Sequence, residues 1–230
     1  MISQAAEDYL KVIYKLQKGR DRADKVTTSL IADRMAVAAA SVTNMVKKLA
    51  EMRLLQHTPY QGVVLTRAGE KIALATIRHH RLLELYLSAA LGYPWDEVDQ
   101  EAERLEHAIS EDFEDRIDRV LGHPTVGAHG EPIPTKQGEI ETPGYERLST
   151  VRTGHTAIVR EVSDRDPEIL RYMDRIGLSL GAAVEIRERS PDGPLVVTID
   201  ADRRAALSLE VAEHIFVDPA EVSAGAPDAA

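Results

Sequence analysis

The sequence predicts a mainly helical protein carrying two small β elements, and three observations predict it. Apolar residues recur at helical spacing through most of the first 121 positions, two short β-like runs flanking Pro59 to Gly62 interrupt them, and beyond residue 155 the pattern turns to partial alternation. At 230 residues the chain also exceeds the usual single-domain size, so several modules are expected, each with its own core.

Residues 3–19 place Ala6, Leu10, Ile13 and Tyr14 on one stripe behind Ser3 as a candidate N-cap, with Asp8 off that stripe. Residues 27–35, TTSLIADRM, read as a short helix. After a break at Ala36 to Ala40, SVTNMVKKLAEM puts Val42, Met45, Val46 and Leu49 on one face. LLQHTPYQGVVLT then carries a hairpin with Pro59, Tyr60, Gln61 and Gly62 at its tip. Helix, turn, helix and hairpin in succession make a winged helix-turn-helix.

A long helix from Arg67 to Leu91 ends near Gly92 and Pro94, and residues 96–121 are expected to run as one further helix, closed by Gly122 and Pro124 and bundled with the first. Residues 122–148 hold too much Gly and Pro for a regular element and read as a linker or ordered loop at a domain boundary. Beyond it HTAIVREV, AAVEIRER, PLVVTIDA and AALSLEV read as strands of a small β-barrel. Pro191-Asp192-Gly193 is a turn there, and a short helix is expected around Pro167 to Ile176. The final AEVSAGAPDAA is small and polar and is expected to be disordered.

Composition narrows the function. The chain has no cysteine, so disulfides, thiolate metal sites and thiol nucleophiles are excluded, and any metal must bind through oxygen and imidazole. The first residues lack a basic stretch followed by an apolar core, and nowhere do about 18 apolar residues run together, so a soluble, cytoplasmic protein without a membrane partner is expected. The net charge of −10 argues against a polyanion partner until its distribution is read. Residues 1–73 hold 12 Lys and Arg against 7 Asp and Glu, a balance of +5, which leaves −15 for the rest. A basic module sits on an acidic body.

In a helix-turn-helix the second helix enters the major groove, and small residues before it let the backbone approach. Ala39 meets that need. Ser41, Thr43 and Asn44 can reach bases and phosphates, Lys47 and Lys48 can meet phosphates, and Gln61 with Tyr60 can touch the neighbouring backbone. In an isolated amphipathic helix Ser41 would only cap and the lysines would be solvated, but placement between a helix-turn and a hairpin favours DNA reading.

Farther on, Asp99, Glu103, Glu106 and His107 stand at i, i+4, i+7 and i+8, while His80 and Glu84 repeat the i, i+4 spacing on the preceding helix. Such charges are commonly solvated when taken singly. Together, carboxylates and imidazoles without sulfur suit manganese or iron(II) ahead of copper(I), with zinc also accepted. Because buried carboxylates repel one another unless protonated or metal-bound, a site that forms when a cation arrives is a natural switch. Carboxylate-rich bundles can also house di-metal oxidation chemistry built on Glu-x-x-His pairs. Here Arg104 stands three before His107, and no nucleophile, phosphate loop or cofactor fingerprint appears, so no enzyme is expected.

AEDYLKVIYKL, SVTNMVKKLAEMRLL, VVLTRAGEKIA, RHHRLLELYL, EAERLEHAISEDFEDRID and HPTVGAHGEPIP, in this order, resemble the diphtheria toxin repressor family of metal-dependent regulators, and more closely its manganese transport regulator branch. The resemblance implies a winged helix-turn-helix over 1–73, a helical dimerisation and metal-binding domain over 74–140, a linker over 141–150, an SH3-like, FeoA-like barrel over 151–219 and a tail over 220–230. It implies a primary metal site of Asp8, Glu103, Glu106 and His107. It also implies an ancillary site of His80, Glu84 and Asp99, completed from VSDRDPEIL by Asp166, with Asp164 and Glu168 as competitors.

The iron-responsive branch commonly has Met and Cys where Asp8 and Glu103 stand, so the resemblance implies Mn(II) as co-repressor, with Fe(II) as the alternative. Small manganese regulators commonly carry a carboxylate where this chain has Lys11, an ammonium that cannot coordinate, which speaks against a closely spaced binuclear site. The implied function is a manganese-dependent repressor, homodimeric on palindromic double-stranded operator DNA, that controls metal homeostasis without a small organic substrate. The alternatives are an iron(II)-dependent repressor of the same family and a winged-helix regulator that senses an organic ligand.

Overall fold

A computed structural model describes residues 2–19, 22–58, 61–164, 166–190, 193–218 and 223–224. The chain divides into two compact units. The first joins residues 1–83 to 103–120 and 133–140, and the second joins 84–102 to 121–132 and 141–230.

In the first unit α1 (Gln4–Lys18), α2 (Thr28–Met35) and α3 (Ala39–Glu51) precede the hairpin of β1 (Leu55–Thr58) and β2 (Gly62–Leu65). Apolar spacing decides which faces are covered. Ala6, Leu10 and Ile13 of α1, Ile31 of α2, and Val42, Val46 and Leu49 of α3 form one core with Leu55, Val63 and Leu65. Each large side chain buried there contributes about 1.5–3 kcal/mol. Ser3 stands at the N-cap of α1, where its carbonyl rather than its hydroxyl accepts from Ala6 and Glu7. The hydroxyl of Thr27 does cap α2, accepting from Leu30. The strands pair antiparallel from Leu55 opposite Leu65 to Thr58 opposite Gly62. Pro59 and Tyr60, placed at the tip by the sequence, lie outside the described residues.

Helix α4 (Arg67–Leu91) has the extent its periodicity predicts. The single helix expected over 96–121 is instead two, α5 (Val98–Leu105) and α6 (Glu111–Val120), separated by a turn over 106–110. Ser110 starts the second helix, its hydroxyl accepting from Phe113 N–H and its carbonyl from Glu114 N–H. Glu111, Asp112 and Glu114 then sit in the first turn, where negative charge meets the positive end of the helix dipole. Glu106 and His107 therefore lie on a turn, free of the helical register that placed them by spacing.

The second unit holds the SH3-like barrel. Its described strands are β3 (Glu146–Arg147), β4 (His155–Val162), β5 (Ala183–Arg189), β6 (Leu195–Ile199), β7 (Arg203–Leu207), β8 (Ile215–Val217) and β9 (Ser223–Ala224). All pair antiparallel, in the order β3-β8-β4-β5-β6-β7 with β9 also on β4. Alternation is visible in Ala157, Val159, Val184, Ile186, Val197 and Ile199, all buried with Leu170 and Met173 of α7 (Pro167–Ile176). AALSLEV, expected as strand, changes element midway. Ser208 ends β7 and caps α8 (Leu209–Glu213), accepting from Val211 N–H. The linker expected over 141–150 is partly structured, with Glu146 and Arg147 pairing Val217 and Phe216 and Leu148 buried in the core. Of the expected turn at 191–193, only Gly193 is among the described residues, and the tail beyond 218 is described only at 223–224.

Candidate metal centre

In the first unit α1, α4 and the α5–α6 turn bring together residues up to 100 positions apart. His107 Nδ1 donates to Glu7 Oε2 at 2.6 Å, so its Nε2 lone pair faces Asp8 Oδ1 at 2.7 Å. That Asp8 oxygen is buried and has no hydrogen-bond partner. Two electron-rich atoms this close need a proton or a cation between them. Burial raises the Asp8 carboxyl above its ordinary range, with the neighbouring His107 only partly offsetting it.

Asp8, Glu106 and His107 offer one ligand atom each within 4.8 Å of one another, and His80, Glu103 and Glu106 do the same, so Glu106 belongs to both groups. His80 Nδ1 donates to Glu106 Oε2 at 2.6 Å. Lys11, 5 % exposed, donates to Glu103 Oε2 at 2.6 Å and to Glu106 Oε1 and Oε2 at 2.7 and 2.9 Å. Burial works against the Lys11 ammonium, but the charges of Glu106 and Glu103 outweigh it and raise it above the ordinary lysine range. Burial likewise works against the Glu106 carboxylate, but the His80 hydrogen bond and Lys11 hold it below its usual value.

A second network props this cluster. His79 donates from Nδ1 to the Glu106 carbonyl at 3.1 Å and from Nε2 to Glu114 at 3.2 Å. Arg78 joins Glu114 at 2.5 Å and the Pro134 carbonyl at 2.9 Å. Burial opposes ionisation of Glu114, yet His79 and Arg78 bring its carboxyl down to about 2.

The second unit carries its own cluster. Glu84 and His129 are fully buried and stand with Glu131 as a third group of candidate ligands. Glu84, Asp99 and Asp164 also lie within 4.8 Å of one another. His129 Nε2 donates to the Trp95 carbonyl at 2.8 Å, which aims Nδ1 toward Glu84 at 3.5 Å, and that nitrogen has no hydrogen-bond partner. Burial would lower the imidazole, but Glu84 and then Glu131 raise it to about 9, so a proton or a metal ion has a place there. Gly130 fixes this loop at φ 89°, where a Cβ would meet the Arg160 carbonyl.

Three site residues depart from the sequence reading. Asp166 caps α7, its side chain accepting from Glu168 N–H at 2.8 Å, and it is Asp164, two residues earlier, that reaches Glu84 and Asp99. A helix start claims the carboxylate at the N-cap, and Pro167 right after it signals that start. His129 was hidden in a Gly- and Pro-rich stretch without periodicity, although its HGEP context stands within a quoted motif. Glu7, beside Asp8, escaped because it orients a ligand rather than supplying one.

The polar residues of α3 are presented to solvent. Ala39, Ser41, Thr43, Asn44, Lys47 and Lys48 are exposed while Val42, Val46 and Leu49 are buried, and Gln61 is exposed between the two strands. The Thr43 hydroxyl donates to the Ala39 carbonyl at 2.9 Å. No described helix is long and apolar enough to cross a membrane.

Comparison with known proteins matches three family models along the chain. These are the iron-dependent repressor N-terminal DNA-binding domain over residues 1–63, the iron-dependent repressor metal-binding and dimerisation domain over 66–135, and the FeoA domain over 146–219. The iron-dependent repressor IdeR of Mycobacterium tuberculosis is 30% identical over 226 residues, covering 92% of this chain and 96% of that one. A solved manganese-dependent transcriptional repressor in complex with manganese is 42% identical with a TM-score of 0.86, covering 92% of this chain and 98% of that one. The manganese regulator SloR is 33% identical with a TM-score of 0.74, covering 93% and 97%.

Proposed function

The chain belongs to the iron-dependent, diphtheria toxin repressor family of metal-dependent transcriptional repressors, and from that premise we propose that manganese(II) is the ion that switches it onto operator DNA. One observation carries the reading. Asp8 Oδ1 and His107 Nε2 stand 2.7 Å apart, the oxygen without a hydrogen-bond partner, in a centre made wholly of oxygen and nitrogen donors. Hard and borderline divalent ions prefer that donor set, and manganese accepts it without sulfur. Similarity to solved manganese regulators supports the assignment. The mycobacterial relative, named for iron, is the ground for the iron(II) alternative.

The residues that would hold the ion are Asp8, Glu103, Glu106 and His107, with His80 on Glu106. A second site in the other unit would be built on Glu84, either with Asp99 and Asp164 or with His129 and Glu131. A divalent ion supplies the positive charge that lets these carboxylates sit together. Glu7 holds the His107 ring, and His79 holds the turn through the Glu106 carbonyl. Asp8 thereby ties α1, which packs with α3, to the α5–α6 turn of the dimerisation region. Homodimers present their α3 helices to palindromic half-sites about 34 Å apart or a multiple of that, a spacing that tolerates little hinge freedom. Ser41, Thr43 and Asn44 would read bases, with Ala39 admitting the backbone and Lys47, Lys48 and Gln61 meeting phosphates. Such a repressor of metal-homeostasis genes works in the cytoplasm, where chromosomal operators are.

Coupling of metal to DNA binding follows the difference in metal affinity between the two arrangements, typically about 1 to 3 kcal/mol. Asp8→Ala should remove manganese-dependent operator binding and leave the dimer intact, as read by fluorescence anisotropy and sedimentation. Full manganese dependence in that variant would refute the bridging role. Tighter binding of iron(II) than of manganese(II) in anaerobic calorimetry would move the protein to the iron alternative, and chelator-insensitive operator binding would point to an organic effector.

A further inference from the structure

A side chain of α1 holds the outer edge of the hairpin that forms the wing. β2 pairs with β1 on one side only, so its other edge carries backbone groups that need partners. Val63 N–H donates to the Val26 carbonyl at 2.8 Å. The next two groups along that edge go to a single side-chain amide, since Gln17 Nε2 donates to the Val63 carbonyl at 3.1 Å and Gln17 Oε1 accepts from Leu65 N–H at 3.3 Å. Gln17 thus does for β2 what the peptide group of a neighbouring strand would do. Gly62 permits the close approach, because at φ 98° a Cβ there would meet the Val26 carbonyl.

We propose that Gln17 is the residue that positions the wing, fixing it to the far end of the helix that carries Asp8, so that an ion drawn in by Asp8 also sets the wing on DNA. This rests on the metal-dependent reading above and deepens it.

The supports of the two strands favour this role. β1 packs against α3 and β2 against α1, so the wing spans the helix offered to DNA and the helix that reaches the metal centre. Gln17 is the next-to-last residue of α1, and Asp8 lies about two and a half turns earlier, about 14 Å along the axis. Between them Tyr9, Leu10, Ile13 and Leu16 are buried in one core, which makes α1 a stiff piece that carries a shift at Asp8 to its other end. Gln61, exposed beside the tip of the hairpin, is the side chain such a shift would move toward or away from the DNA backbone. A hydrogen bond that only satisfied an edge strand would add stability without regard to metal.

The test uses the full-length protein, manganese(II), and the duplex that the manganese-loaded protein selects from a random-sequence pool. In the unmodified protein manganese should slow exchange of the Leu65 amide, the donor to Gln17, as read by NMR. Gln17→Met keeps the length of the side chain and loses both hydrogen bonds. It should bind manganese with an unchanged Kd and lose about tenfold of the DNA affinity that manganese confers, an ordinary coupling between sites. Hydroxyl-radical footprints should lose protection at the backbone flanking each half-site and keep it within the half-site. Gln17→Glu, which accepts from Leu65 N–H but sets a carboxylate against the Val63 carbonyl, should lose as much. A loss of stability alone would weaken DNA binding equally with and without manganese. An undiminished manganese effect in both variants, a footprint weakened uniformly, or a Leu65 amide indifferent to manganese in the unmodified protein would each overturn the assignment, and the last needs no variant to fold. An unmodified protein whose DNA affinity manganese does not raise would overturn the metal-dependent reading, and this inference with it.

Discussion

The two carboxylate–imidazole clusters are built from the same residue types and neutralised by different means. In the first unit the carboxylates lean on Lys11, His80 and a network ending in Arg78. In the second unit Glu84 and Glu131 flank His129, whose orientation is fixed by the Trp95 carbonyl. The first cluster joins α1 to α4 and the α5–α6 turn, so under the proposed function an ion held there would change how the DNA-reading helices are held. The second lies among α4, α5, the 129–131 loop and Asp164, so an ion held there would tie together segments of the unit that contains it. Under the proposed function, similar ligands would serve a switch in one place and a brace in the other, according to which chain segments they connect.

The strongest way to break this distinction is Glu106→Gln. Glu106 is 1 % exposed, belongs to both groups of the first cluster and is the partner of Lys11 and His80. Removing one charge from such a buried network costs several kcal/mol, so manganese affinity at the first centre should fall about a thousandfold while binding at the second is unchanged. Calorimetry resolves the two events. A parallel loss at both would show that the clusters act as one site.

The props of the first cluster give the next largest effect. Glu114 titrates at about 2 in the folded protein against an ordinary value of 4.5, because His79 and Arg78 outweigh its burial. Its contribution is fully present above pH 4.5 and is lost as pH falls toward 2. That amounts to about 3 kcal/mol at 1.36 kcal/mol per pKa unit. Thermal melts between about pH 6 and pH 2.5 should show this acid limb, and Glu114→Gln should flatten it. An acid limb unchanged in the variant would remove Glu114 from the framework of the first centre.

The first unit was more legible in the sequence than the sites were. Ala6, Leu10 and Ile13, then Val42, Val46 and Leu49, mark buried faces by spacing alone, because a solvent-backed helix must segregate its apolar residues. The same spacing misled at Glu106 and His107. Their i+7 and i+8 positions suit one continuous helix, yet Ser110 and three acidic residues start another. His129 and Asp164 obey no period, since irregular loops are fixed by long-range contacts such as the packing of Gly130 on the Arg160 carbonyl. The barrel showed its strands through alternation but not the helix begun by Ser208 inside AALSLEV.

Glu7→Gln is the finest probe of the comparison. Glu7 is half-buried on α1 and touches His107 rather than any other candidate ligand, with Nδ1–H donating at 2.6 Å. A carboxylate behind a ligating imidazole fixes the ring and makes its other nitrogen a stronger donor, and loss of such a partner typically weakens a metal site about 10- to 100-fold. A glutamine keeps the shape and still accepts the hydrogen bond, so the loss here should lie near the lower figure, about tenfold for manganese at the first centre. His129 has its own support in the Trp95 carbonyl, so the second centre should keep its affinity. If Glu7→Gln weakened the second centre as much as the first, the effect would have come through the fold rather than through His107. If neither moved, the carboxylate on α1 would be a surface charge, and Asp8 alone would have to connect that helix to the turn.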